Sequence, residues 1–523
     1  MPATLPRPIA LVLAVAAGLA ADLAFAPRTW WWLAILAVGA LHLALRGHSA
    51  RFAYLVAAGF GLAFMLRHLS WAVQAVGGGE WLPWVALSIL EALILALYGP
   101  LRAWAVTALG ASRRPLIGAL LAALAWVGVE VVRSNVPFGG LPWGVLAHSQ
   151  VDGPLVSLAR LGGEPLVSAL VVLTGVLLAE GVSATSRLRP FRGVRLVATG
   201  GVVLLVGLIL PLPTGAQSGT LSVGAVQVHV PGGGLTTSAE ARQVTADHAD
   251  LTEELVSGEP DLDLVLWAES AADVDPRTDE DVAASVERAA QAAGVPVLLG
   301  TQRYVDDGDG GRNRYNELVV WEAGQGPVGQ AYAKQHPVPF GEYMPYRNFF
   351  RFFSPAVDRV TTDMLPGDRP GLVEVGVERL GRQVPLAVGI CFEVGYEAII
   401  AEGVALGGEM IVIPTNNATH GDTAVSAHQL AMTRFRAVEF GRSAVQVGRT
   451  GVSGVVAPDG ELLERTDLFE VTTYTGEDLP LRTEITPAVR VARPAGLVAV
   501  LVTAGLGVAG IVRGRLTAPA RSR

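Results

Sequence analysis

The sequence predicts a multi-span α-helical membrane domain, about eight transmembrane helices in all, joined to an extracytoplasmic α/β domain. Three observations carry this reading. Apolar residues make up 51% of the 523 and charged residues only 16%, against roughly 25% charged in an ordinary globular chain. Mean hydropathy is +0.43, and the apolar content gathers toward both ends. Between 219 and 487 polar and charged residues return, and strand-length and helix-length patterns alternate.

The spans come first. Windows near 9–26, 29–45, 53–75, 82–108, 116–133, 155–181 and 193–212, then an eighth near 494–512, each hold about the 17–25 mostly apolar residues that cross a bilayer. The expected layout is a membrane domain over 1–218 with about seven helices, a catalytic domain over 219–487, and a terminal helix with a cytoplasmic tail over 488–523. Arginines orient it. Arg7, Arg46, Arg51, Arg113, Arg114, Arg187, Arg189, Arg192, Arg195, Arg513, Arg515, Arg521 and Arg523 fall on one side of this count, while the opposite loops hold little beyond Arg28, Arg133 and Arg160. Positive residues collect on the cytoplasmic side, so both termini are expected inside and 219–487 outside. Ala24, Phe25 and Ala26 imitate a signal-peptidase site, but six further spans favour an uncleaved first helix.

Within 219–487, strand-like runs fall at 221–228, 262–267, 295–300, 317–321, 385–390 and 410–414, and amphipathic helical stretches near 236–257, 279–293 and 424–440. This alternation is that of an α/β sheet. Open α/β sheets expose side chains to a ligand crevice just past strand ends, and two reactive residues stand there. Glu269 follows Leu-Val-Leu-Trp-Ala, and Cys391 follows Leu-Ala-Val-Gly-Ile. Cys391 is the chain's one cysteine, which excludes an internal disulfide and a cysteine-cluster metal site. The net charge of −8 argues against nucleic acid as a partner. Neither a metal nor a cofactor is expected.

The positive charge is 38 arginines and a single lysine, Lys334. A carboxylate, an ammonium and a thiol brought together can run nucleophilic chemistry. The carboxylate takes the thiol proton, the thiolate attacks a carbonyl, and the ammonium stabilises the oxyanion. A neighbouring cation also lowers a thiol pKa, raising the thiolate fraction. Taken alone, a cysteine after a strand reads as a small buried hydrophobe; its company with Glu269 and Lys334 favours the catalytic reading. Glu130 and Arg133, one helical turn apart, either pair with each other or mark a functional site, since charges within a bilayer are costly.

The motifs around these residues resemble the nitrilase (carbon–nitrogen hydrolase) superfamily, and within it the membrane-embedded apolipoprotein N-acyltransferases of bacteria. Pro-Asp-Leu-Asp-Leu-Val-Leu-Trp-Ala-Glu-Ser at 260–270 carries Glu269. Tyr-Ala-Lys-Gln-His-Pro-Val-Pro-Phe-Gly-Glu-Tyr at 332–343 carries Lys334 and Glu342, and Gly-Ile-Cys-Phe-Glu at 389–393 carries Cys391 and Glu393. The stretch 428–439 looks like that family's helix behind the site, and Phe-Gly-Gly-Leu-Pro-Trp at 138–143 like its membrane-face motif. The resemblance implies an αββα sandwich and a Glu269–Lys334–Cys391 triad. Glu342 would orient Lys334, Glu393 would shape the site or cap the helix near 395, and Asn316 is a weaker supporting candidate. His428 reads as a packed helix residue rather than a metal ligand.

The same resemblance implies a ping-pong acyl transfer on the outer face of a bacterial cytoplasmic membrane. A phospholipid would donate a fatty acyl chain to Cys391 as a thioester, and the α-amino group of diacylglyceryl-cysteine in an apolipoprotein would accept it. Membrane lipid is thus substrate and surroundings, and the chain is expected to be a monomer. Two departures from the family pattern bear on the lid and substrate preference: Gln227-Val-His-Val-Pro-Gly-Gly-Gly after the first strand, and Asn417 and Thr419 where other site-lining residues are usual. Two further readings stay open, a membrane-anchored nitrilase-like amidase and a platform for a polyprenol-phosphate mannose synthase.

Overall fold

The computed structural model describes residues 4–75, 81–108, 114–186, 189–230, 237–258, 261–308, 310–352 and 355–516. Arg113, Arg187, Arg521 and Arg523 of the orienting set, and 231–234 of the stretch after the first strand, lie outside them. The chain forms two compact units, one of 1–70, 81–211 and 490–523, the other of 71–80 and 212–489.

The first unit is helical: α1 (Arg7–Asp22), α2 (Trp32–Leu45), α3 (Ala50–His68), α5 (Trp81–Leu95), α6 (Tyr98–Ala108), α7 (Pro115–Arg133), α8 (Ala159–Thr185) and α9 (Pro190–Ile209), with most of α15 (Pro487–Leu516); the short α4 (Ala72–Ala75) belongs to the second unit. Among the described residues six helices are long and apolar enough to cross a membrane: 50–68, 81–105, 115–133, 154–185, 190–209 and 487–513. The chain is a membrane protein. All eight expected windows contain helix, but the first two fall short. α1 has 16 residues and α2 has 14, and at about 1.5 Å per residue both are shorter than a hydrocarbon core of about 30 Å. Pro27 lies between them and cannot continue a helix. α2 and α8 approach at Gly39 and Gly175, where an added Cβ would sit 2.4 Å from the Ile35 carbonyl oxygen at Gly175; small residues let membrane helices meet this closely.

Glu130 and Arg133 do not pair with each other. Arg133 Nη1 bonds Glu91 Oε2 at 3.0 Å and donates to the carbonyls of Leu141 and Trp143, while Glu130 accepts the Leu146 N–H. Both charges therefore brace the segment around 138–146. The window at 53–75 is also corrected: α3 stops at His68, and 71–80 clusters with the second unit.

That second unit holds two six-stranded sheets. One runs β12-β1-β2-β3-β4-β5 and the other β11-β10-β9-β8-β7-β6. The first comprises β1 (Thr220–Gln227), β2 (Leu264–Trp267), β3 (Val297–Asp306), β4 (Arg312–Glu322), β5 (Gly326–Ala333) and β12 (Thr472–Pro480). The second comprises β6 (Leu372–Val377), β7 (Arg382–Val388), β8 (Met410–Asn416), β9 (Ala444–Arg449), β10 (Gly454–Val456) and β11 (Leu462–Arg465). In each sheet three central strands are parallel, β1–β2–β3 and β7–β8–β9. Their near-continuous apolar runs are buried, as parallel strands covered on both faces require. Helices α10 (Ser238–Ser257) and α11 (Glu280–Ala293) cover the first sheet, and α13 (Glu397–Ala405) and α14 (Val425–Phe440) the second; α12 (Arg347–Arg351) is a short surface turn. The sheets meet face to face, tied by Thr450 N–H to the Val228 carbonyl and by Thr466 to Gln227. This is the expected α–β–β–α sandwich.

Candidate active site

The three triad residues stand one to three residues past strand ends, and Asn316 stands within a strand. Glu269 follows β2, Lys334 follows β5, Cys391 follows β7, and Asn316 lies on β4. The Lys334 N–H donates to the Asn316 carbonyl at 2.8 Å, which carries the β4–β5 pairing onto the lysine and fixes its backbone. Gly300 on β3 lets Glu269 sit where it does. A Cβ there would lie 2.8 Å from the Glu269 Cα and 2.7 Å from both the Ala268 carbonyl oxygen and the Ser270 nitrogen.

The structure brings Glu269, Lys334, Glu342 and Asn316 into one buried cluster beside Cys391. Lys334, with no exposed surface, places Nζ 2.6 Å from Glu342 Oε1 and 3.5 Å from Glu269 Oε1. Asn316 Nδ2 donates to the same Glu269 oxygen at 2.6 Å. Glu342 uses its other oxygen to accept the Val338 N–H at 2.7 Å, so it fixes the loop after the lysine while it holds the ammonium. Glu269 Oε2 has no N–H or O–H partner among the described residues. It is the oxygen available to take a proton.

Burial raises the Glu269 pKa above the ordinary carboxylate range; the Lys334 charge opposes this and the Glu342 charge adds to it. Burial works against the Lys334 charge, yet Glu342 and Glu269 outweigh it and push the ammonium above its usual range. The thiol corrects the expectation of a lowered pKa. Burial first, then the Glu269 charge, push Cys391 well above the usual thiol range, and the opposing pull of Lys334 does not reverse them. Burial thus favours the neutral thiol, so the nucleophile needs a base to take its proton.

Cys391 opens a short helical turn, Cys391–Gly395, with φ +58°, a backbone state that costs a non-glycine residue about 1–3 kcal/mol. Two neighbours hold it. Glu393, fully buried, accepts from the Ile390, Gln335 and His336 N–H groups and from the Tyr332 hydroxyl at 2.7–3.0 Å. It therefore caps its own turn, not the α13 helix that follows, and also ties the nucleophile to the lysine loop. From α14, Arg436 donates to the carbonyls of Val394 and Gly395 and pairs with Glu439 at 2.5 Å. The helix behind the site is thus a brace for the turn, and His428 lies buried on it.

Sequence reasoning missed several contributors. Gln429 Nε2 reaches Cys391 Sγ at 3.3 Å and is itself held by Asn417 Nδ2 at 2.8 Å. Asn417 thus supports the site from behind, while Thr419 lines it. The signal for Gln429 lay in the 428–439 motif, whose polar residues fall on a buried helix. Trp71 had none, because it sits in an apolar window. In the second unit its ring lies 5.4 Å from Phe392 and 5.8 Å from His420. These three rings line one side of a cavity of about 1280 Å³ that reaches Cys391, Glu269 and Glu342. The cavity offers a thiol and a carboxylate to one ligand, and the Lys334 ammonium lies buried against the two lining carboxylates, Glu269 and Glu342.

Residues 17–177 match the family described as the apolipoprotein N-acyltransferase N-terminal domain, and 223–482 match carbon-nitrogen hydrolase. A relative named apolipoprotein N-acyltransferase from Mycolicibacterium smegmatis is 35% identical over 93% of this chain and 82% of its own length. The chain belongs to the apolipoprotein N-acyltransferase family. Relatives of the same name from Azotobacter vinelandii and Pseudomonas aeruginosa are 31% and 30% identical, covering 92% and 94% of this chain and 91% and 94% of theirs. The likeness spans membrane helices and sandwich together. A match to the sandwich alone would equally fit a soluble amidase.

Proposed function

We propose that this family member transfers a fatty acyl chain from a membrane phospholipid, through a thioester on Cys391, to the α-amino group of diacylglyceryl-cysteine at an apolipoprotein N-terminus. The observation that carries the reading is the Glu269–Lys334–Cys391 cluster in a chain that aligns over more than nine-tenths of its length with relatives of that name and has, among its described residues, six helices long and apolar enough to cross a membrane. Hydrolysis of a small soluble amide needs no such helices. A bilayer-borne acyl donor does.

The chemistry follows from the atoms. Glu269 Oε2 takes the Cys391 proton as Sγ attacks the ester carbonyl, and Lys334 Nζ stabilises the oxyanion that forms. Collapse breaks the ester C–O bond, and the proton passes from Glu269 to the departing glycerol oxygen, releasing lysophospholipid. The acceptor amine then attacks the thioester. Glu269 removes its proton and returns it to Sγ, which restores the thiol. Because burial favours the neutral thiol, the attack needs Glu269 as base. Water must be kept out while the thioester waits.

The finer placement rests on the arginine distribution, which supports the cytoplasmic membrane with the sandwich on its outer face. Protease added to spheroplasts should then cut the sandwich and spare a C-terminal tag. The reaction itself is tested with purified protein, a phospholipid and a synthetic diacylglyceryl-cysteine peptide. The expected product is a peptide heavier by one acyl chain on its amine, with lysophospholipid formed alongside. Free fatty acid with unmodified peptide would make the protein a hydrolase instead.

A further inference from the structure

The wall of the catalytic cavity contains a cation without a counter-charge. β4 places Arg312, Arg314 and Asn316 on one face, since alternate strand residues point the same way, and all three line the cavity. Asn316 is committed to Glu269. Arg312 is exposed and, although opposite Asp306 in the β3–β4 register, makes no ion pair with it, whereas Arg314 is half-buried and stands opposite Tyr304. On the other face of the same hairpin the arginines are spent: Arg303 and Arg277 share Glu317, each at 2.7 Å. Arg449, also on the cavity, pairs with Asp273 at 2.9 Å. For the Arg314 guanidinium the described residues offer no hydrogen-bond or ion-pair partner, and its Nε is buried with none.

A half-buried arginine with unspent donors, aimed into a cavity, is a receptor for an anion with oxygens in a plane. We infer that Arg314 binds the phosphodiester of the phospholipid donor, an assignment that rests on the acyl-transfer reading above. The spacing suits it. Arg314 precedes Asn316 by two strand residues, about 7 Å, and Asn316 touches the proton acceptor. The path from an ester carbonyl across the glycerol to the phosphate is of similar length, so a carbonyl over Cys391 brings the phosphate toward the guanidinium. The acceptor carries no phosphate in its diacylglyceryl-cysteine. Arg314 therefore serves the first half-reaction only, and released lysophospholipid keeps the phosphate whose departure frees the cavity for the acceptor.

The test uses full-length Arg314→Gln and Arg314→Lys in detergent micelles, with phosphatidylglycerol and the neutral ester p-nitrophenyl palmitate as donors to Cys391. Arg314→Gln should raise KM for phosphatidylglycerol about 10- to 100-fold, the scale of hydrogen bonds to a charged group. Acylation by the neutral ester should match wild type, which also shows that the variant folds, and Arg314→Lys should recover part of the loss. Aminolysis of a preformed thioester should be unchanged. Equal losses with both donors, or no loss with phosphatidylglycerol, would overturn the assignment. Wild-type protein that is acylated by the neutral ester but never by phospholipid would instead overturn the acyl-transfer reading on which it rests.

Discussion

Two buried ion clusters flank the nucleophile turn, and they differ in what they leave undone. Behind it, Arg436 and Glu439 have no exposed surface, and each guanidinium nitrogen has an acceptor: Glu439, the Val394 carbonyl or the Gly395 carbonyl. In front, Lys334 serves two carboxylates at once, at 2.6 and 3.5 Å, and Glu269 keeps Oε2 without an N–H or O–H donor. Burying charge is expensive in both places. The first cluster is closed and fixes geometry. The second is open, and its unfilled acceptor is the one the chemistry needs. Burial of charge therefore does not mark a site; an unspent valence facing a cavity does.

Exchanging the cation is the strongest way to break this distinction. Lys334→Arg should retain folding and membrane insertion yet lose acylation by about 10²-fold or more, the scale of one oxyanion donor. A planar guanidinium would lock onto the carboxylates in bidentate fashion and close the open cluster. Near-normal single-turnover acylation would show that the ammonium has no such part. Gly300→Ala leaves every charge in place and displaces the 268–270 backbone that carries Glu269, which the new Cβ would approach to 2.7–2.8 Å. A displacement of this kind should cost on the order of 10²-fold in acylation, with little change in phospholipid KM.

Glu342→Gln sharpens the electrostatic side, and a loss of about 10-fold is expected from looser lysine positioning. Glu342 contributes to raising the Glu269 pKa, so acylation in the native protein should fall, as pH drops, at a pH above that of an ordinary carboxylate. Removing the negative neighbour favours ionised Glu269, and the acid limb of the pH–rate profile should move to lower pH. A shift to higher pH would contradict the assignment of Glu269 as base. The smallest effect on rate belongs to the closed pair. Glu439→Gln leaves Arg436 buried without its counter-charge and should cost about 3–5 kcal/mol of stability, read as a lower Tm. Below that Tm, acylation should stay within a few-fold of wild type.

How much was legible follows the same division. The triad could be read because each member ends an apolar strand or sits in a dense motif, and because one lysine and one cysteine stand out against 38 arginines. Five of the six central parallel strands were legible for their unbroken apolar runs; β9, Ala-Val-Gln-Val-Gly-Arg, was not. β5, with two glycines and a proline in Gly-Pro-Val-Gly-Gln-Ala-Tyr-Ala, and β12, rich in polar residues, were not, since edge pairing rather than burial makes them strands. The first two helices were overread, because apolar composition extends across the break at Pro27. Trp71 and Gly300 carried no signal of their own, and Gln429 only that of the 428–439 motif around it. Their parts depend on which atoms tertiary packing brings together, and no local pattern encodes that.

The central claim is that the open cluster exists to load and unload Cys391. Intact-mass measurement of the purified full-length protein after brief exposure to phospholipid tests it most directly. The account predicts a single acyl adduct that maps to Cys391, is cleaved by neutral hydroxylamine, disappears on addition of the diacylglyceryl-cysteine peptide and is absent from Cys391→Ala, which should also make no product. N-acylated peptide formed by Cys391→Ala would contradict it.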